Sequence, residues 1–111
     1  FIAIDTNLDI MKNRVVQEKW AVNTLLESRA RWRILFGHHR WTSFGKNNKK
    51  KKTSSNLDKF YQKLVNTDKV NLIISGHENS QQHIYVPNKP NMIISGVGSN
   101  VDNKPIIKIY E

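Results

Sequence analysis

Cysteine is absent from this sequence of 111 residues, and proline and glycine are scarce, with three and five residues. The lack of cysteine excludes disulfide bonds and every zinc site built on thiolate ligands. No apolar run approaches the roughly 20 residues that a membrane-spanning helix needs, so the sequence predicts no such helix in this chain. Because 38% of the residues are apolar, the chain can still bury a modest core. These features favour one small domain or part of a larger one.

Acidic residues are also few, since nine aspartates and glutamates stand against 18 lysines and arginines and leave a formal net charge of +9. An excess of this kind can indicate nucleic-acid binding. Much of it, however, lies in one stretch, GKNNKKKKTSS, at residues 45–55. Lysines mixed with asparagine and serine cannot bury apolar surface and stay solvated. We therefore predict a basic, low-complexity loop insertion there, and the pattern argues against a nucleic-acid partner.

The apolar residues alternate between strand-like and helix-like spacing along the chain. Short apolar runs predict strands at FIAID, RILF, NLIIS, HIYV, MIIS and IIKIY. Helical spacing predicts one helix over residues 16–26 and another within residues 54–67, the second capped by Ser55 or Asn56. In the first helix we expect Trp20 to be buried, and we expect Trp32 to pack in the core as well.

The order of these elements is strand, helix, strand, helix, strand and then a run of strands. It predicts an α/β fold, with a mixed sheet, helices on one face and a β-rich carboxyl-terminal edge. The second and third strands each end in glycine and histidine, at Gly37-His38 and Gly76-His77. Open α/β sheets carry their sites at the carboxyl ends of the strands. We therefore expect His38 and His77 to converge in one crevice, as candidate metal ligands.

The ordered set FIAIDTN, WRILFGHHRWTSFG, VNLIISGHENSQQ and MIISGVGSN resembles the second half of a calcineurin-like metallophosphoesterase, of the purple acid phosphatase type. The resemblance covers essentially the whole chain. It implies that residues 1–111 are the carboxyl-terminal half of a four-layer sandwich. The chain opens within a strand, and the family's Gly-Asp and Gly-Asn-His motifs are absent from it. The missing amino-terminal half is then an expected partner, on the same precursor or on a separate chain.

The resemblance also implies roles for individual residues. His38 and His77 would ligate one of the family's two metal ions, which are iron, zinc or manganese. Asn79 stands where the family has the histidine of the other metal site, and an amide oxygen is a weaker ligand than imidazole for such ions. His39 and Arg40 would face the substrate, and the Arg40 guanidinium would contact phosphate oxygens.

Two functions remain open at this point. The family reaction is hydrolysis of a phosphate ester by metal-activated water, but two neutral histidines bind a metal ion weakly, so we expect this chain alone to be nearly inactive. The alternative is a non-catalytic scaffold or interaction module with a degenerate phosphatase fold, of which Asn79 would be a sign. In either case, half of a sandwich would leave an apolar sheet face bare.

Overall fold

A computed structural model describes residues 1–44, 50–98 and 106–109 of the chain. The strands are β1 Ile2–Ala3, β2 Ile34–Gly37, β3 Thr42–Phe44, β4 Lys50–Lys52, β5 Leu72–Ser75, β6 Gln81–Tyr85, β7 Asn91–Ser95 and β8 Ile106–Ile109. The helices are α1 Arg14–Glu27 and α2 Ser55–Val65. Within these described ranges, no helix combines the length and the apolar character that crossing a bilayer requires.

In the part of the chain that the structure describes, the main sheet has six strands in the order β1-β2-β5-β7-β6-β8, and β3 pairs with β4 in a second, two-stranded sheet. Strands β1, β2, β5 and β7 run parallel, β6 is antiparallel to β7, and β8 is parallel to β6. Connections between parallel strands are almost always right-handed, so the steps from β1 to β2 and from β2 to β5 put α1 and α2 on the same face. The contact between the two helices agrees with this arrangement. The predicted α/β class with a mixed sheet is confirmed.

The core lies between the helices and one face of the main sheet, which we call the covered face. Alternate strand residues point to the same side of a sheet, and on this side Leu35, Ile73 and Ile94 are buried. Helix α2 adds five buried side chains that repeat at helical spacing, namely Leu57, Phe60, Tyr61, Leu64 and Val65. The prediction that Ser55 or Asn56 caps this helix is wrong. The N-cap is Ser54, and its hydroxyl accepts a hydrogen bond from the Leu57 amide at 3.3 Å.

The opposite side of the sheet, the open face, carries an apolar row. Phe36 and Ile93 are 41% and 37% exposed. The register sets Phe36 beside Ile74, and Ile74 beside Ile93, so the three side chains cross adjacent strands on one side. Single exposed apolar residues are ordinary on protein surfaces, whereas a contiguous row is typical of a contact surface.

The prediction that two tryptophans pack in the core is wrong. Trp20 and Trp32 are 49% and 65% exposed, while Ala21 and Leu25 form the buried side of α1. Valine, leucine and tryptophan are spread around the circumference of this helix. Their spacing therefore does not select one face, and packing against α2 and the sheet decides which side is buried.

The segment predicted as a basic loop, residues 45–55, differs from that prediction in part. Lys50–Lys52 forms β4, antiparallel to β3, and Ser55 begins α2, while residues 45–49 lie outside the described residues. A strand ladder is made by main-chain groups, and lysine is a common residue on edge strands because it discourages further pairing. A lysine run therefore does not exclude a strand when a partner strand is available.

Candidate metal centre

The carboxyl ends of β2 and β5 lie side by side at one edge of the main sheet. The parallel register places Gly37 beside Ser75, and the Gly76 amide then donates to the carbonyl of His38 at 3.0 Å. This bond extends the pairing one step beyond the strands. The imidazoles of His38 and His77 converge there, as the sequence predicts, with Nε2 of His38 3.1 Å from Nδ1 of His77.

A third imidazole, that of His39, joins this pair. The ring centres of His39 lie 4.8 Å from His38 and 4.7 Å from His77, and the remaining pair is 5.1 Å apart. One ligand nitrogen of each ring lies within 4.8 Å of the other two. Strand β2 ends at Gly37. The side chains of His38 and His39 therefore do not point to opposite faces, as consecutive strand residues would, and both lie beside His77. We call His38, His39 and His77 the histidine cluster.

Thr6, a buried residue that follows β1, holds His39 in position. Its hydroxyl oxygen accepts a hydrogen bond from the His39 amide at 2.9 Å and lies 2.8 Å from Nδ1 of the same residue. The Tyr61 hydroxyl, on α2, donates to the His39 carbonyl at 2.8 Å. Because Thr6 engages Nδ1, the nitrogen of His39 that is left for a ligand is Nε2. Sequence reasoning misses Thr6, since only the pairing of β1 with β2 brings it to this edge.

His77 sits in a strained turn. Its φ of 66° lies in the left-handed region, and the Glu78 amide donates to the Gly76 carbonyl at 2.8 Å across it. A three-residue turn with positive φ at its centre is rare, and such conformations cost on the order of 1–3 kcal/mol. The surrounding structure has to fix the turn, which aims the His77 imidazole at His38.

The loop that carries His77 rests on the end of β7. The Gly96 amide donates to the Ser80 carbonyl at 3.1 Å, and a Cβ atom at Gly96 would lie 1.7 Å from the carbonyl oxygen of Glu78. Only glycine permits so close an approach of two main-chain segments. Gly96 therefore sets the position of the loop, a role that sequence reasoning does not assign to it.

Glu78 is locked between two cations. Its Oε1 lies 3.0 Å from Nε of Arg40, and its Oε2 lies 2.9 Å from Nζ of Lys51. The side chains of Arg40 and Glu78 are only 13% and 14% exposed. Burial by itself would raise the pKa of Glu78, but the hydrogen bond from Lys51 and the charges of Arg40 and Lys51 outweigh it and lower the pKa. Glu78 is thus ionised at neutral pH, and each of its oxygens has a partner.

The resemblance predicts that Arg40 contacts the substrate, but its Nε is engaged within the protein. This nitrogen contacts both Glu78 and the Ser43 hydroxyl, which lies 3.1 Å away. The guanidinium thereby joins the loop after β2, the loop after β5 and strand β3. The geometry supports a positioning role for Arg40, and its contact with phosphate stays a prediction.

The lowered pKa of His39 favours its role as a metal ligand. Burial, followed by the proximity of His77 and His38 and by the charge of Arg40, lowers the pKa of His39, while Asp5 acts weakly in the opposite direction. Metal ions bind the neutral form of imidazole, so proton competition is reduced when the pKa falls.

Asn79 and Gln82, both within the stretch VNLIISGHENSQQ that carries the resemblance, lie nearby. Asn79 is half-buried in the His77 loop, and its proposed role as a weak ligand stays a prediction. Gln82 is buried, and its amide bonds both main-chain groups of Phe44, at 2.9 and 3.1 Å, and the Ser80 hydroxyl at 2.8 Å. Gln82 therefore ties β3 to β6 and serves the structure.

A cavity of about 220 Å³ opens beside the cluster. His39 and Arg40 line it together with Thr6, Asn7 and Ser54. A larger cavity of about 630 Å³, near Trp41 and Met92, has none of the three histidines in its lining. A molecule bound in the smaller cavity would thus meet His39 of the histidine cluster.

Three imidazoles at one edge are a suitable donor set for a transition-metal ion, because catalytic zinc sites take about three protein ligands and keep a position open for water. Comparison of the chain with protein-family models and with curated proteins gives no match.

Proposed function

We propose that this chain is the metal-binding, carboxyl-terminal part of a metallophosphoesterase. The observation that carries the proposal is the 3.1 Å separation of the His38 and His77 nitrogens at two neighbouring strand ends. In the family that the sequence resembles, the matching histidines share one metal ion. A metal ion bound there would lower the pKa of a water molecule and stabilise charge on phosphoryl oxygens.

The surroundings of the cluster favour an anionic substrate. Arg40 and Lys51 flank the carboxylate of Glu78, so this network of three residues keeps one positive charge, and the cavity lining adds the acidic Asp9. The cavity beside His39 has room for a small ester, and its lining includes the hydroxyl-bearing Ser54 at the N-terminus of α2. We propose that the substituent of the ester enters this cavity, while its phosphoryl group faces the histidines.

The remaining ligands, in this proposal, come from a further polypeptide segment packed on the open face. The row of Phe36, Ile74 and Ile93 gives such a segment an apolar surface to cover. Two sheets that pack face to face bury side chains of this kind between them. Without that segment the site lacks the carboxylates that a second metal ion needs, and we expect little turnover.

A non-catalytic scaffold is the second candidate, and two observations favour it. Asn79 stands in the place of a metal-binding histidine, and both oxygens of Glu78 are engaged by cations. In a scaffold the open face would still bind a partner, and the histidine cluster would be left without a catalytic role.

An assay of phosphatase activity distinguishes the phosphoesterase from the scaffold. The natural polypeptide that contains this chain is supplied with Zn²⁺, Mn²⁺ or Fe³⁺, and its hydrolysis of p-nitrophenyl phosphate is measured. We expect turnover with at least one ion. We also expect His77→Ala to reduce it by more than the ~100-fold that loss of a group supporting a ligand can cost. His83→Ala is the matched control, since His83 lies on β6 and bonds Asn91 at 2.8 Å. Turnover that survives His77→Ala contradicts the proposal, and bound metal without turnover favours the scaffold.

A further inference from the structure

We infer that the histidine cluster forms a site for one metal ion, in which His39 is the third ligand and Zn²⁺ is preferred to Mg²⁺ and Mn²⁺. The inference deepens the proposed function and rests on it only for what the metal ion would do. It concerns the number of ions, the ligand set and the kind of ion.

The geometry brings the three nitrogens close to the spacing that one ion imposes. Bonds of about 2.0–2.1 Å in a tetrahedral site hold ligand nitrogens roughly 3.4 Å apart. The nitrogens of His38 and His77 are 3.1 Å apart, and the widest separation within the cluster is 4.8 Å. We expect rotation of the two exposed side chains, His38 and His77, to close the difference, while Thr6 holds His39.

The cluster lacks the bridging group that a second ion would need. Within the described residues, the group of possible ligands consists of three histidines and contains no carboxylate. Glu78, which follows His77, is held at one oxygen by Arg40 and at the other by Lys51. Asp5 accepts hydrogen bonds from Asn7 at Oδ1, and neither of its oxygens belongs to the group of possible ligands. Two ions a few ångströms apart would repel each other without such a bridge, so we expect one.

The type of ligand selects the ion. Imidazole suits zinc, copper and nickel, whereas magnesium and manganese prefer carboxylate and carbonyl oxygens. Three uncharged ligands do nothing to offset the charge of a trivalent ion, and the cationic Arg40 lines the same cavity as His39. A divalent, imidazole-binding ion such as Zn²⁺ therefore matches the site best.

Thr6 would act as the positioning residue for the third ligand. Its oxygen already accepts the amide hydrogen of His39, and it can also accept the hydrogen on Nδ1, which is 2.8 Å away. That arrangement fixes the imidazole in the form that leaves the Nε2 lone pair directed away from Thr6. Groups behind a metal-binding histidine commonly act in this way.

Calorimetric titration of the metal-free chain with Zn²⁺, and separately with Mn²⁺ and Mg²⁺, tests the inference. We expect one Zn²⁺ per chain, bound at least ~100-fold more tightly than Mn²⁺. With Co²⁺ as a spectroscopic probe we expect the intense visible absorption of a four-coordinate ion. Two ions per chain, or equal affinity for Mn²⁺ and Zn²⁺, would overturn the inference.

Variants test the ligand set. His39→Ala and His39→Gln should each lower Zn²⁺ affinity by more than ~100-fold, and His83→Ala should leave it unchanged. Thr6→Val should lower it by ~10–100-fold, whereas Thr6→Ser, which keeps the hydroxyl, should restore it. Unfolding measured without metal identifies any variant that fails to fold. If a folded His39→Gln chain binds Zn²⁺ as tightly as the wild type, His39 is not the third ligand.

The outcomes are distinct from those of the phosphatase assay. One tightly bound Zn²⁺ without hydrolysis in the natural polypeptide would support this inference and count against the proposed function. Hydrolysis by the natural polypeptide, together with two ions bound by this chain alone, would support the proposed function and overturn this inference.

Discussion

The covered face of the sheet and the edge that holds the histidine cluster are built from opposite kinds of residues. On the covered face, Leu35, Ile73 and Ile94 are buried apolar side chains, which stabilise the fold by leaving water. At the edge, His77 is exposed and has a positive φ, a conformation that costs stability. The difference indicates that the covered face supplies most of the folding free energy and that the histidine edge supplies the capacity to bind. Substitutions on the covered face should therefore change stability, and substitutions at the edge should change metal binding.

The largest effect on stability should come from the covered face. Ile73 is 1% exposed, and Ile73→Ala should lower the free energy of unfolding by about 2–5 kcal/mol, because it removes buried methyl groups and leaves a cavity. This is a large share of the roughly 5–15 kcal/mol that a domain possesses. Denaturant unfolding of the metal-free chain measures it.

Ile93→Ala is the matched control for Ile73→Ala. Ile93 is 37% exposed on the open face of the adjacent strand β7, and we expect a loss of less than about 1 kcal/mol, since partly solvated methyl groups contribute less. Zn²⁺ affinity of the folded protein should change in neither variant. Equal losses of stability at the two positions would contradict the distinction between the faces.

Gly96→Ala should affect both regions at once. Its new Cβ atom would lie 1.7 Å from the Glu78 carbonyl oxygen, and forced rearrangement of this kind typically costs about 1–3 kcal/mol. The His77 loop would have to move, so Zn²⁺ affinity should fall as well. Gly98→Ala is the control, because a Cβ atom there meets nothing within 4 Å. Unaltered metal binding in Gly96→Ala would show that the loop does not depend on this contact.

The sequence predicts the covered face well and the first helix poorly. In α2, five apolar residues repeat at helical spacing on one side, and all five are buried. In α1 the apolar residues lie all around the helix, so the exposure of Trp20 depends on packing that spacing does not encode. Strand β4 is missed for a related reason, since a lysine run has no strand pattern until β3 supplies its main-chain partner.

The sequence predicts the centre of the site and misses its support. Two glycine–histidine pairs after neighbouring parallel strands are sufficient to bring His38 and His77 together, because strand topology sets their position. The contribution of Thr6 depends on contacts 33 residues apart in sequence. The pairing of Glu78 with Lys51 depends on β4, which no pattern predicts. Local patterns do not encode such contacts.

A substitution at His77 should separate stability from binding most directly. His77→Gly removes the backbone strain at φ 66°, and after the entropy cost of glycine we expect the metal-free chain to gain about 0.5–1 kcal/mol. Zn²⁺ binding should be lost. His83→Gly, within strand β6, should instead lower stability by about 0.5–1 kcal/mol and leave binding unchanged. If His77→Gly and His83→Gly both lower stability, the turn at His77 is not strained.

The smallest effect that we expect is a dependence on acid pH caused by Glu78. Its pKa in the folded chain is lowered from an ordinary value of 4.5, so the unfolded chain binds the proton more readily. The ionised carboxylate therefore adds stability that is complete above about pH 4.5 and disappears as the pH falls through the lower folded pKa. Glu78→Gln has no such group. The difference in unfolding free energy between the wild type and Glu78→Gln, measured from neutral pH to about pH 3, should shrink with acid, because Glu78 becomes protonated in the wild type. The other carboxyl groups titrate in both proteins, so their effects cancel in this difference. A difference that stays constant would mean that Arg40 and Lys51 do not stabilise the ionised form of Glu78 and would remove the reason for treating it as unavailable to a metal ion.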